Sequence, residues 1–157
     1  MIKRELYMNR IRPFIGGELI KVMTGIRRSG KSVMLELIKE ELAEAGVAPS
    51  QMISINFEDM RYSHLQTATA LHDEIIKRVE GIEGKAYLFF DEIQEVEGWE
   101  KCVNSLRVAL DCDIYITGSN AKLLSGELAT YIGGRYVEFV IYPFSFAEFL
   151  ELYHTCL

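Results

Sequence analysis

Short runs of apolar, strand-favouring residues alternate along this chain with longer stretches whose apolar positions recur every three or four residues. Leu19–Thr24 (LIKVMT), Met52–Phe57 (MISINF), Ala86–Phe90 (AYLFF), Asp113–Thr117 (DIYIT) and Tyr136–Ile141 (YVEFVI) are the short runs, and they predict five strands. Between them, Lys31–Ala45 predicts a helix. Val33, Leu37 and Leu42 lie beside Met34, Ile38 and Ala45 on a broad apolar face, and Gly46 stands where a C-terminal cap belongs. Thr69–Glu80 has Leu71, Ile75 and Val79 in helical register, and Trp99–Leu110 predicts a third helix. A shorter helix is expected over Ala121–Tyr131. Ser145 opens another that runs to Tyr153, with Glu148 three residues on as a capping box. Strands apolar on both faces and separated by helices indicate a parallel sheet covered on both sides. The expected fold class is therefore α/β, without repeats, linkers or low-complexity tracts.

Composition narrows the class. The 157 residues suffice for one domain with a single well-buried core, and 49% hydrophobic content fits a globular protein. No apolar run reaches the length of a membrane span, and the opening MIKRELYMNR lacks the apolar centre of a signal peptide. Cys102, Cys112 and Cys156 are odd in number and show no C-x-x-C spacing. That argues against a disulfide framework or zinc site and for a reducing cytoplasm. The net charge of −6 conceals an asymmetry: residues 1–31 hold eight basic and two acidic side chains, the remainder nine and 21. A basic N-terminal segment suits an anionic ligand. Pairing with the acidic remainder is the better expectation for Lys3, Arg4, Arg10 and Arg12. The overall acidity speaks against nucleic-acid binding by this domain alone.

The basic segment ends in a specific pattern. Gly25-Ile-Arg-Arg-Ser-Gly-Lys-Ser32 reads G-x-x-x-x-G-K-S, between a predicted strand and a predicted helix. Such a loop wraps backbone N–H groups around phosphates and aims a helix N-terminus at them. Gly25 and Gly30 permit close backbone approach. Ile26, Arg27, Arg28 and Ser29 form the turn, Lys31 would reach the β- and γ-phosphates, Ser32 would bind Mg²⁺, and Val33 follows in the first turn of the helix as a further candidate nucleotide contact.

A second constellation says what is done to the phosphate. The strand AYLFF runs into Asp91-Glu92, 60 residues after Lys31. An acid pair after an apolar run is ordinarily a strand end meeting solvent. At the carboxyl edge of a parallel sheet, where ligands bind, Asp91 would hold the Mg²⁺ water shell near Ser32. Glu92 would orient and deprotonate a water aimed at the γ-phosphate. Asp91 is followed by Glu-Ile-Gln rather than D-x-x-G, and no N-K-x-D motif appears, so ATP is preferred over GTP. The fourth strand ends in Thr117-Gly-Ser-Asn120. Asn120 first and Ser119 second are candidates to contact the γ-phosphate or the attacking water, although Gly-Ser-Asn is also ordinary turn material. Arg135 follows Gly133-Gly134 just before the fifth strand. In a self-associating ATPase it could reach a neighbour's γ-phosphate, and a plain surface salt bridge is the alternative.

The order GIRRSGKS, NFED, YLFFDEIQ, ITGSNAKLLS, GGRYVEF and YPFSFAEFL resembles a group of prokaryotic AAA+ ATPases whose N-terminal ATPase core precedes a C-terminal domain of unknown function. The resemblance covers about Lys3 to Leu150. It implies a P-loop NTPase core of the AAA+/ASCE type, a three-layer sandwich around a five-stranded parallel sheet of order 5-1-4-3-2. By resemblance Gly25–Ser32 is the Walker A loop, Asp91-Glu92 the Walker B pair, Ser119-Asn120 the sensor region and Arg135 the arginine finger. Asn56-Phe-Glu-Asp59 matches a family pattern without a physical role beyond the end of the second strand. Members of this group continue into a helical lid and a further domain, so residues 1–157 are expected to be a single, truncated core with reduced turnover. The leading expectation is Mg²⁺-dependent ATP hydrolysis coupled in the longer protein to a conformational change. The alternative is a nucleotide-gated switch acting on a partner or on the missing domain. A small-molecule kinase would need an acceptor-binding segment, and none is visible.

Overall fold

The computed structural model describes residues 4–26, 29–119 and 132–143. Five strands, β1 (Ile20–Thr24), β2 (Met52–Asn56), β3 (Ala86–Asp91), β4 (Cys112–Gly118) and β5 (Tyr136–Val140), form one sheet. Every pairing is parallel and the order is β2-β3-β4-β1-β5, which read from the other edge is 5-1-4-3-2. Among the described residues four α-helices cover it: α1 (Glu5–Ile11), α2 (Lys31–Glu44), α3 (Ala68–Val79) and α4 (Trp99–Ala109). The helices expected over 121–131 and 145–153 lie outside the described residues, as do Arg27, Arg28 and Asn120.

The strands look apolar throughout because each central strand feeds two cores. Ile114 and Ile116 of β4 point toward α3 and α4, while Tyr115 between them points toward α1 and α2. Leu88 and Phe90 of β3 join the first core and Phe89 the second, where its ring stacks on Tyr115 at 4.9 Å. This alternation follows from successive strand side chains projecting to opposite faces. β2 departs from the two-faced pattern. As an edge strand it buries Ile53 and Ile55 but leaves Ser54 and Asn56 exposed.

Helix ends follow the local chemistry. Gly46, at φ 97°, lets its own N–H reach the Ala43 carbonyl and the Val47 N–H reach the Leu42 carbonyl, which closes α2. Thr67 caps α3 by accepting the Ala70 N–H. Helix α1 is not announced by the sequence pattern. Its seven residues are held by tertiary contact, with Met8 and Ile11 buried against α2. Arg12 just after it bonds Glu41 of α2 at 2.6 Å and Glu5 of α1, as the charge pattern led us to expect.

Away from the carboxyl edge, a polar cluster is sealed into the second core. Lys21 and Asp113 are both fully buried and paired. Asp113 also accepts the Tyr115 hydroxyl and the Gly16 N–H, and Lys21 donates to the Gly17 carbonyl. Burial pushes the Lys21 ammonium below its usual range and the Tyr115 hydroxyl above it. The cluster fastens the turn that feeds β1.

Candidate active site

β1 delivers the chain to Gly25 at the carboxyl edge of the sheet, and α2 carries it away from Lys31. A side chain at Gly25 would collide with the Ile141 carbonyl just beyond β5 and with the Ser29 hydroxyl. Gly30 occupies the left-handed region at φ 98° as the residue before α2, a conformation that costs a glycine little. Gly30, Lys31, Ser32 and Val33 then line a cleft of about 420 Å³ together with Ser29, Glu58 and Glu92. The first backbone N–H groups of α2 open onto that cleft. Lys31 is nearly enclosed and arches back to donate to the Gly25 carbonyl at 2.6 Å. Ile26 is exposed at the loop's outer turn.

The opposite wall comes from β3 and β4. Asp91 is the last residue of β3, and both of its carboxylate oxygens are occupied. Oδ2 accepts the Ser32 hydroxyl at 2.7 Å and Oδ1 accepts the Thr117 hydroxyl at 2.5 Å. The Thr117 oxygen in turn accepts the Glu92 N–H at 2.9 Å. Glu92 sits at φ 57°, ψ 51°, the left-handed region that non-glycine residues rarely enter, and is the sole non-glycine residue with positive φ among those described. The kink throws its carboxylate toward the loop lysine, 3.7 Å from Lys31 Nζ. The short helical turn that follows, Ile93–Glu95, brings the Gln94 amide to within 2.5 Å of Glu92 Oε2. The other amide atom, Gln94 Oε1, is buried without a hydrogen-bond partner.

The Asn56–Asp59 stretch acquires a role here. Asn56 Oδ1 accepts the Glu58 N–H, and the Phe57 N–H bonds the Asp91 carbonyl, so the turn leaves β2 in step with the end of β3. Phe57 packs on Phe90 at 6.0 Å between ring centres, and Glu58 is left on the cleft wall. Arg61 holds the Asp59 carboxyl below its usual range by hydrogen bonding.

The expected site residues divide as follows. Gly25, Ser29, Gly30, Lys31, Ser32, Val33, Asp91 and Glu92 converge at one edge of the sheet. Ser119 follows β4 and is half-buried, but Thr117, two residues earlier, is the β4 residue that bonds Asp91. Arg135 is exposed at the entry of β5, where its carbonyl accepts the Ile20 N–H. That is the amino edge of the sheet, about five residues or roughly 16 Å from the edge that bears the cleft. Thr117 and Gln94 were missed in the sequence. The available signal for Thr117 was a hydroxyl residue ending the strand that had to neighbour the acid-bearing one.

The Ser32 and Asp91 oxygens suit a magnesium ion. Ser32 Oγ and Asp91 Oδ2 meet in a 2.7 Å hydrogen bond at the cleft, so an ion taking the Ser32 hydroxyl as a ligand would have the Asp91 carboxylate beside it to hold its water shell. Both are hard oxygen donors of the kind this ion prefers.

A family model described as "AAA domain" matches residues 17–150. The chain belongs to that family. The AAA domain is 48% identical over 151 residues to an uncharacterized protein of Haemophilus influenzae, a match covering 96% of this chain and 38% of the relative. It is 40% identical over 133 residues to an uncharacterized protein of Methanocaldococcus jannaschii, covering 84% of this chain and 28% of that one. The chain thus spans little more than a third, or less, of these relatives' lengths. In fold it is similar to a DNA polymerase III gamma subunit-related protein from Thermotoga maritima. The TM-score is 0.65 at 12% sequence identity, over 93% of this chain and 48% of that one. The identity is too low to carry more than the P-loop NTPase fold.

Proposed function

We propose that this AAA domain binds ATP with Mg²⁺ and hydrolyses it by in-line attack of water. The observation that carries the reading is the double hold on Asp91. Ser32 of the phosphate loop and Thr117 of the neighbouring strand grip its two oxygens, which sets Glu92 beside Lys31 at the mouth of the cleft. A magnesium ion bound by Ser32 and, through its water shell, Asp91 would neutralise charge on the β- and γ-phosphates. Lys31 is placed to exchange the Gly25 carbonyl for phosphate oxygens, a stronger charge-assisted bond. The loop amides at Gly30, Lys31 and Ser32 would hold the same phosphates. Glu92, with its backbone N–H fixed on Thr117, would orient the attacking water and take its proton.

Adenine is favoured because the guanine-reading N-K-x-D motif is absent from the sequence. Arg135 lies too far from its own cleft to act there and would serve the nucleotide of a neighbouring copy. In a longer protein the hydrolysis would drive a conformational change through a lid and further domain, for which this chain is the core.

A second reading draws on Gln94. Its amide holds the Glu92 carboxylate, so the domain would bind nucleotide and turn it over slowly, as a switch. Titrating ATP and GTP with Mg²⁺ while following ADP release separates the two. Steady ADP release supports the hydrolase, and tight binding without release supports the switch. Lys31→Ala should abolish binding, and Glu92→Gln should bind ATP without hydrolysing it. Unchanged affinity in Lys31→Ala would overturn both readings.

A further inference from the structure

Arg4 precedes α1 and is only 5% exposed, and its guanidinium reaches both the phosphate loop and the chain just beyond β5. Nη1 donates to the Ser29 carbonyl of the phosphate loop at 2.6 Å, and Nη2 donates to the Tyr142 carbonyl just after β5 at 2.5 Å. The group lies over the Tyr7 ring, 4.6 Å from its centre. The Tyr7 hydroxyl in turn accepts the Tyr142 N–H at 3.0 Å. One cation and one tyrosine from α1 therefore hold both the carbonyl and the amide of Tyr142, while the same cation holds the phosphate loop.

The Ser29 carbonyl belongs to the peptide unit whose N–H is that of Gly30. A peptide unit is planar with its C=O and N–H opposed, so anchoring the oxygen on Arg4 turns the Gly30 N–H away from Arg4. Gly30 lines the cleft. A side chain at Gly30 would also strike Arg4 Nη1, which shows how closely the guanidinium lies on the loop. An anion on the Gly30 N–H polarises that peptide and strengthens the bond its carbonyl accepts, as linked hydrogen bonds do. Arginine suits this place because its rigid fork offers two donors at fixed directions to two separate carbonyls, which an ammonium cannot match.

We propose that Arg4 is a positioning residue that couples triphosphate binding in the loop to the chain leaving β5 at Tyr142. The proposal rests on the reading of the cleft as a triphosphate site. Arg4 presents the Gly30 N–H for binding, and when that N–H is engaged the strengthened Ser29 bond fixes the guanidinium where it holds the Tyr142 carbonyl. Whatever follows residue 142 is thereby informed of the state of the loop.

The test measures MgATP affinity and amide hydrogen exchange of Tyr142 in the full chain, in Arg4→Met and in Arg4→Lys. In the parent, MgATP should slow exchange at Tyr142. In Arg4→Met, affinity should fall about tenfold because the Gly30 peptide loses the charge-assisted bond that orients it, and MgATP should no longer change Tyr142 exchange. Arg4→Lys keeps the charge and the stem over Tyr7, so it decides the matter if the methionine variant does not fold. It too should lose the ATP effect at Tyr142. If either folded variant binds MgATP like the parent and still protects Tyr142 on binding, the relay is overturned while the nucleotide site stands. If the parent itself does not bind MgATP, the site reading fails first and the relay with it.

Discussion

Thr117 donates its hydroxyl to Asp91 and, through the same oxygen, accepts the backbone N–H of Glu92. One side chain on β4 thus sets the direction of the Asp91 carboxylate and fastens the kink that aims Glu92 toward Lys31. Thr117→Val keeps the shape and removes both bonds. Hydrolysis is expected to fall about 10–100-fold, the usual cost of losing an outer-shell partner, with ATP affinity in the absence of Mg²⁺ little changed. Thr117→Ser should recover most of the loss. Single-turnover ADP formation at several Mg²⁺ concentrations provides the check, and parental rates in the valine variant would contradict this placement.

Gln94 gives a prediction of a different kind, because its amide donates directly to the Glu92 carboxylate. If the amide orients the carboxylate for attack, Gln94→Leu lowers kcat toward the roughly 10²–10⁴-fold loss of a misplaced general base and leaves Kd for MgATP alone. If the amide restrains Glu92, as the switch reading has it, the same variant hydrolyses faster. Parallel measurement of Kd and kcat decides which sign holds.

The buried Lys21–Asp113 pair is remote from the cleft and answers to stability. Asp113→Ala leaves an enclosed ammonium unpaired and strips the Gly16 N–H and Tyr115 hydroxyl of their acceptor. A loss of about 3–5 kcal/mol in unfolding free energy is expected from breaking such a pair. Replacing Lys21 and Asp113 together by Met and Leu should cost markedly less than the single change. Urea unfolding of the parent and the two variants reads the difference.

The cysteines offer a pH test. Burial pushes the Cys102 thiol up to about 12 and the Cys112 thiol up to about 11. Both stay protonated at neutral pH, so iodoacetamide should leave them unmodified in a folded Cys156→Ser chain and alkylate both once it is unfolded. Because folding raises each pKa above the ordinary value of 9.0, their contribution to stability is complete below that pH. It declines as the pH climbs toward 11 and 12, where the unfolded chain has already released its protons. Mass spectrometry of the alkylated protein settles the first point, and thermal unfolding at rising pH the second.

Local patterns carried the loop, the strands and the acid pair. Gly25, Gly30, Lys31 and Ser32 act within eight consecutive residues, and Asp91-Glu92 closes an apolar strand, so periodicity and spacing are enough to find them. Helix α1 was invisible because seven residues have too little intrinsic helicity to show a pattern, and packing against α2 stabilises them. Thr117 and Gln94 were invisible for another reason. The role of Thr117 depends on β3 and β4 pairing in register, Phe90 opposite Ile116, so that the next residues on each strand meet. The role of Gln94 depends on the left-handed kink at Glu92, which no residue type announces.

Arg4 marks the boundary most plainly. Its charge was legible and suggested pairing with the acidic part of the chain, and the two carbonyls it bonds lie 25 and 138 positions away, which no charge pattern indicates. The amino-acid sequence by itself determined that this chain forms a parallel α/β sheet with the Gly25–Ser32 loop and the Asp91-Glu92 pair at its carboxyl edge, because those signals are local or repeat with the period of strand or helix. Only the tertiary structure decided which polar groups fasten that chemistry in place, because hydrogen-bond partners are chosen by proximity after the strands have paired, and proximity is not written in sequence order.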